Sequence, residues 1–130
     1  VFVSIDPTNG LAIYDQIVRQ IKFAVASRAI RPGELVPSVR ELAKAAAVNP
    51  NTVARAYREL QAEGVLETVR GTGLAVTQSA PAYCRRERVK LIRQRLKQVL
   101  EEAAQSGLTL DEIRSLVEQE LARLQPRSPH

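Results

Sequence analysis

Two helix starts eleven residues apart constrain this chain more than any other feature of it. At the first, the Ser38 hydroxyl can accept from the Glu41 amide while the Glu41 carboxylate accepts from the Ser38 amide, the reciprocal pair of a capping box. Val39, Leu42, Ala43 and Ala46 supply that helix with an inner face, and Arg40, Glu41 and Lys44 lie outside it. At the second, Asn49 is an N-cap and Pro50 sits at N1, where a missing N–H costs nothing, with Val48 and Val53 flanking the cap as a hydrophobic staple. Only Ala47-Val48-Asn49 remain between the two helices, which makes the tight joint of a helix-turn-helix and not that of a parallel bundle. Gly64 stops the second of these helices.

The flanking segments complete a small domain. Val1 to Ile5 alternates weakly and is β-branched, so a short strand is expected there, followed by a turn through Asp6-Pro7-Thr8-Asn9-Gly10. From Ile13 the apolar residues 13, 14, 17, 18, 21 and 25, with Ala24, follow the repeat of a helix buried on one face, and Arg31-Pro32-Gly33 is expected to end it. After Gly64, Val65 to Thr77 reads as two short β-rich runs around Arg70-Gly71-Thr72-Gly73, a hairpin whose glycines permit positive φ. Three helices and a hairpin make a winged helix. The fold expected is mainly α with one small β-hairpin: a winged helix-turn-helix over residues 1–78, then a helical tail over 79–130.

Composition excludes several classes of function. Aromatic residues are 4% of the chain, tryptophan is absent and a quarter of the residues are charged, which suits a helix-rich globular protein. Apolar runs stay far short of the roughly 18 residues a membrane span needs, so no membrane partner and a cytoplasmic location are expected. Cys84 is the sole cysteine and His130 the sole histidine, so neither a disulfide framework nor a Cys/His metal site can be built. No catalytic triad or HExxH motif is present, and Arg70-Gly71-Thr72-Gly73 lacks the lysine and the strand-to-helix context of a phosphate loop. No catalytic residue, metal ligand or cofactor is assigned, and enzymatic activity is not expected. The net charge of +5 favours an anionic partner.

On the third helix, about Asn49 to Glu63, Val53, Ala56, Tyr57 and Leu60 cluster on one side, while Asn51, Arg55, Arg58 and Ala62 lie opposite. Asn and Arg can pair bidentately with adenine and guanine edges in a major groove, and a helix N-terminus attracts phosphate. A plainer reading stands beside this one: Asn49 and Thr52 cap the helix, and Arg55 and Arg58 are solvated or paired with Glu59 and Glu63. Tyr57, on the core side, is read as packing with its hydroxyl at the rim.

The run "RPGELVPSVRELAKAAAVNPNTVARAYRELQAEGVLETVRGTG" resembles the winged-helix DNA-binding domain of GntR-type bacterial transcriptional regulators, over roughly residues 10 to 77. The resemblance implies that the third helix enters the major groove of double-stranded DNA. It also implies that Arg40 and the wing around Arg70 and Gly71 touch backbone or minor groove. The DNA-binding set so implied is Ser38, Arg40, Asn49, Asn51, Thr52, Arg55, Arg58, Arg70, Gly71 and Gly73. Pro50 and Ala54 stand where relatives often carry basic residues, which leaves direct readout to Asn51 and Arg55. Thr72 and Leu74-Ala75 replace residues common after the wing turn, and a looser wing is expected.

Beyond Thr77, Val89, Ile92, Leu96, Val99 and Ala103 repeat at alternating three- and four-residue spacing, the stripe of a helix that packs along another. Ser106-Gly107 breaks it. Thr109 and Glu112 form a second capping box, with Leu108 and Ile113 as its staple, and Leu110, Ile113, Val117, Leu121 and Leu124 continue the apolar face. Such a two-helix hairpin cannot enclose much core, so a homodimer through Val89, Ile92, Leu96, Val99, Ile113, Val117 and Leu121 is expected. The short tail resembles that of the reduced, YtrA-like subfamily, and the aminotransferase-like domain of MocR-like relatives is not expected. A dimer would present two reading helices to an inverted-repeat operator, with repression as the expected outcome. An effector, if one acts, would have to bind at the dimer seam or between the domains. The alternative is a protein-interaction adaptor that uses the helical tail and touches DNA weakly. Residues 85 to 97 carry seven Lys or Arg and one Glu, either as a solvated face or beside the DNA, and Cys84 is read as an ordinary thiol.

Overall fold

The computed structural model describes residues 3–8 and 10–124. The chain divides into two compact units, Val1–Val89 and Lys90–His130. In the first, α1 (Ile13–Ala26), α2 (Val39–Ala46) and α3 (Pro50–Ala62) precede a hairpin of β1 (Leu66–Val69) and β2 (Gly73–Val76). Helix α3 packs against both α1 and α2, and its C-terminal end meets β1. Ile17, Ile21, Leu42, Val53, Leu60 and Leu66 are sealed from solvent at the centre, so each of these helices and the hairpin feeds one core.

The local signals act where they were read. The Ser38 hydroxyl accepts the Glu41 amide at 3.1 Å, and Glu41 Oε1 accepts the Ser38 amide at 2.8 Å. Ala47 then closes α2 in the left-handed region at φ 57°, a conformation that costs a residue with a Cβ about 1–2 kcal/mol. That tight turn aims α3 across α2. At the other end of α3, Gly64 takes φ 80°, its amide donates to Gln61 O, and the Val65 amide donates to Leu60 O. This is a Schellman motif, and its hydrophobic pair, Leu60 and Val65, is fully buried.

In the hairpin Leu66 pairs with Val76 and Val69 with Gly73, leaving Arg70-Gly71-Thr72 as an exposed tip. Leu35 adds a third line of pairing through a bridge to Ala75, supported by bonds from Val36 N to Leu74 O and from Val76 N to Glu34 O. Two residues are too few to show a strand period, so this pairing has no signature in the sequence.

Two expectations need correction. Residues 3 to 5 form no strand, although Val3 is buried and Ile5 packs against the core; Val1 and Phe2 lie outside the described residues, as does Asn9 of the expected turn. Side-chain amides do the work of a neighbouring strand here. Gln20 exchanges two hydrogen bonds with the Ser4 backbone, and Gln16, itself buried, does the same with Asp6. Helix α1 also ends five residues short of Arg31. Arg28 adopts φ 65°, and the Ala29 and Arg28 amides donate to Ala24 O and Val25 O, another Schellman closure.

Helix α4 (Ala80–Gln105) begins in the first unit, where Ala80 and Cys84 join the core. In the second unit α4 runs to Gln105, Gly107 turns the chain at φ 93°, and Thr109 caps α5 (Leu110–Leu124) through the expected reciprocal bonds with Glu112. No residue of α5 is buried, so these helices close no core of their own. No helix among the described residues is long and apolar enough to cross a membrane.

Candidate DNA-binding surface

The outward side of the helix-turn-helix is built by what faces inward. Val53, Ala56, Tyr57 and Leu60 of α3 are buried, which forces Asn51, Arg55 and Arg58 into solvent. Tyr57 is anchored by a bond from its hydroxyl to Pro37 O at 2.7 Å, and burial pushes its ionisation far above the ordinary phenol range. It is therefore a packing residue that ties α3 to the start of α2.

Three of the carboxylates that could have neutralised the outward cations are engaged elsewhere, and Glu59 forms no ion pair with them among the described residues. Glu41 is held in the capping box and Glu34 accepts the Arg31 amide at 2.6 Å. Glu63 accepts from Lys22 Nζ at 2.5 Å and from the Tyr83 hydroxyl at 2.6 Å. Burial alone would weaken ionisation of both partners, but the hydrogen bond and charge between them prevail, raising the Lys22 pKa and lowering that of Glu63. Arg40, Arg55, Arg58 and Arg70 consequently make no ion pair among the described residues. A surface whose cations are left unpaired attracts a polyanion.

The amides at the helix starts are less open than the sequence implied. Asn49 Oδ1 accepts the Asn51 amide at 2.8 Å, Pro50 has no amide hydrogen, and Thr52 N donates to Asn49 O. This end of α3 therefore offers an anion its helix dipole and neighbouring side chains, not a nest of free N–H groups. Ser38 and Asn49 accept within their caps and each keeps a donor, the hydroxyl proton and the amide NH2 respectively. Thr52 is half-buried. At the wing, Gly71 has φ 73° and Gly73 φ 143°, both in the region where a Cβ is strained, and they leave Arg70 at an exposed turn.

One neighbour was missed. The Arg55 guanidinium carbon lies 3.7 Å from the centroid of the Tyr14 ring. Tyr14, on the apolar face of α1 by its spacing, is half-buried, and the close packing of α1 on α3 brings it under Arg55. Tyr14, Arg55, Asn49, Asn51, Thr52 and Ile13 line one open depression at the start of α3. No sequence period links positions 14 and 55, so only the helix packing reveals the pair.

The basic run divides. Arg88 stacks 4.7 Å over Phe23, and Glu87 lies 3.5 Å from Lys22, whereas Arg85 and Arg86 are exposed. Among the described residues no group of His, Cys, Asp and Glu is placed to hold a metal ion.

Comparison with known proteins agrees with this architecture. Residues 13–76 match the model of bacterial regulatory proteins of the gntR family. The chain is 36% identical over 117 residues, 90% of each chain, to the HTH-type transcriptional repressor YtrA of Bacillus subtilis. A transcriptional regulator from Oenococcus oeni superposes with a TM-score of 0.79 at 34% identity, covering 90% of this chain and 97% of that one. The AraR DNA-binding domain, solved in complex with operator ORE1, matches at 26% identity and a TM-score of 0.50 over 56% of this chain and 89% of its own. The chain belongs to the GntR family, whose members are transcription regulators and not enzymes, and it is a homologue of YtrA.

Proposed function

We propose that this regulator is a homodimeric repressor that binds an inverted-repeat operator, with α3 reading bases in the major groove and α2 and the wing gripping the backbone. The observation that carries the reading is the outward face of the helix-turn-helix, where Arg40, Asn51, Arg55, Arg58 and Arg70 are exposed and no carboxylate pairs with the arginines. Asn51 and Arg55 read base edges; Ser38, Arg40, Asn49, Thr52, Arg58 and the Arg70-Gly71-Gly73 turn position the duplex. Repression is the role that the name of its relative YtrA carries. The functional division falls near residue 78, with the DNA-binding module before it and the dimerising tail after it.

Support for the dimer comes from the second unit. Ile92, Leu96, Val99 and Leu121 are between 50% and 60% exposed, and Leu110 and Leu124 more than 70%. Val117 and the half-buried Ile113 complete the row, and Val89, the last residue of the first unit, is exposed as well. A monomer rarely leaves such a stripe open to water, and a second copy supplies the same stripe in return. Two linked reading helices then gain avidity on a two-fold site. A small-molecule effector would act by changing the separation of those helices.

The same stripe is what an adaptor would use for a different partner, and one experiment separates the readings. The purified protein is selected against a randomised duplex library, and the winners are titrated at two salt concentrations. An enriched inverted repeat supports the repressor. Binding without enrichment that vanishes in moderate salt leaves the adaptor.

A further inference from the structure

Tyr14 lies on a different helix from every residue assigned to base reading, yet its ring carries the guanidinium of Arg55 at 3.7 Å. How Arg55 is held decides what it can still do. Had it paired with Glu59 or Glu63, as the sequence allowed, two or more of its N–H donors would be consumed by the carboxylate. Neither pairing is made: Glu63 belongs to Lys22 and Tyr83, and Glu59 forms no ion pair among the described residues. An aromatic face restrains the guanidinium through its π-cloud while all five in-plane N–H donors stay available. The restraint matters because a free arginine side chain has about 2 kcal/mol of rotamer entropy to lose on binding. The pair also opens onto the depression shared with Asn51 and Thr52, so the held donors stand beside the other base-reading side chain of α3.

We propose that Tyr14 of α1 is a specificity-determining positioning residue: its ring holds the Arg55 guanidinium ready for a base edge, and the operator preference at the position read by Arg55 depends on it. The proposal rests on the reading of α3 as the base-reading helix. It places one determinant of sequence recognition outside the helix-turn-helix, on a helix that need not touch the bases. The contribution comes from the ring and not from the hydroxyl, so phenylalanine should replace tyrosine and an aliphatic residue should not.

The test uses the full-length chain and the operator recovered by duplex selection, with every single-base variant of one half-site. Tyr14→Leu is expected to weaken operator binding about two- to fivefold, the range of an exposed cation–π contact. It should flatten the preference at one base position and leave non-specific binding and its salt slope as in wild type. Tyr14→Phe should match wild type, and Tyr14→Leu in an Arg55→Ala background should add nothing. Circular dichroism and the urea midpoint identify loss through misfolding; if Tyr14→Leu is unfolded, Tyr14→Gln takes its place with the same flattened preference expected, and an unchanged preference in it overturns the proposal. Additive losses in the double variant, or a Tyr14→Phe variant as weak as Tyr14→Leu, overturn the proposal. If wild type itself selects no sequence, the base-reading assignment of α3 fails and this proposal fails with it. If wild type selects an operator whose preferences Tyr14→Leu leaves unchanged, only the role of Tyr14 is lost.

Discussion

Replacement of Glu63 by glutamine tests whether the first unit is held by the Lys22–Glu63–Tyr83 cluster. Glu63 stands at the C-cap of α3, Lys22 on α1, and Tyr83 and Glu87 on the first turns of α4. The carboxylate accepts from Lys22 at 2.5 Å and from Tyr83 at 2.6 Å. The Lys22 and Glu63 side chains are only 16% and 24% exposed. A hydrogen bond to a charged group contributes about 1.5–3 kcal/mol. Two effects reduce the loss: Glu87 remains 3.5 Å from Lys22, and a negative charge at a helix C-terminus opposes the dipole by about 0.3–1 kcal/mol, a conflict the substitution removes. The net expectation for Glu63→Gln is a destabilisation of about 1–2 kcal/mol.

Urea unfolding at fixed protein concentration measures it, followed by tyrosine fluorescence. The chain has three tyrosines and no tryptophan, and Tyr14, Tyr57 and Tyr83 all lie in the first unit, so the signal is local to it. The m-value should not change. The pH dependence is equally specific. Glu63 ionises below its ordinary value of 4.5 in the folded protein, so its contribution is complete above that value and lost as pH falls through the lowered pKa. Lys22 is raised above 10.5, so its contribution is complete below that value and lost as pH rises through the raised pKa. Wild type should therefore hold its stability above the Glu63 limit until the Cys84 thiol, raised from 9.0 to about 11 by burial in the folded protein, begins to ionise in the unfolded chain. Glu63→Gln should show a shallower acid limb. A loss below about 0.5 kcal/mol, or an acid limb identical to that of wild type, would refute the reasoning.

Three further outcomes are expected. Asn51→Ala should cost about 1–3 kcal/mol of operator affinity and relax base preference, whereas Arg40→Ala should weaken every duplex alike and lower the salt slope by about one, as read by titration over a salt series. Leu121→Asp should shift the sedimentation profile from dimer towards monomer and weaken operator binding while leaving the first unit folded by tyrosine fluorescence, since Leu121 is 59% exposed and supports no core in the single chain. Cys84 is 1% exposed and burial pushes its thiol up to about 11, so a thiol reagent at pH 8 should modify it only at the rate of unfolding; rapid modification of the folded protein would contradict that burial.

The punctuation of the fold was legible because it is local. Ser38 and Glu41, Asn49 and Pro50, Gly64, and Thr109 and Glu112 each act within one helical turn, and each forms the cap or stop its chemistry requires. Burial periodicity was equally readable along α3 and most of α1, where Ile13 is exposed and the polar Gln16 is buried instead. The errors fell where a distant group completes a segment. The Val3–Ile5 backbone is paired by Gln20 and held beside Gln16, so its β-branched pattern led to no strand. Arg28 closes α1 in a conformation that arginine does not advertise.

The amino-acid sequence by itself determined the helix starts and stops, the three-residue joint and hence the helix-turn-helix, the hairpin, and which face of α3 is polar. These depend on contacts between near neighbours, whose geometry the backbone dictates. The tertiary structure alone decided which carboxylates leave the arginines unpaired, that Glu63 binds Lys22 and Tyr83, that Leu35 pairs with Ala75, and that Tyr14 carries Arg55. Each of these joins groups on separate elements, and their meeting depends on how α1, α3 and the hairpin close on a common core, a distance in space that no spacing along the chain encodes.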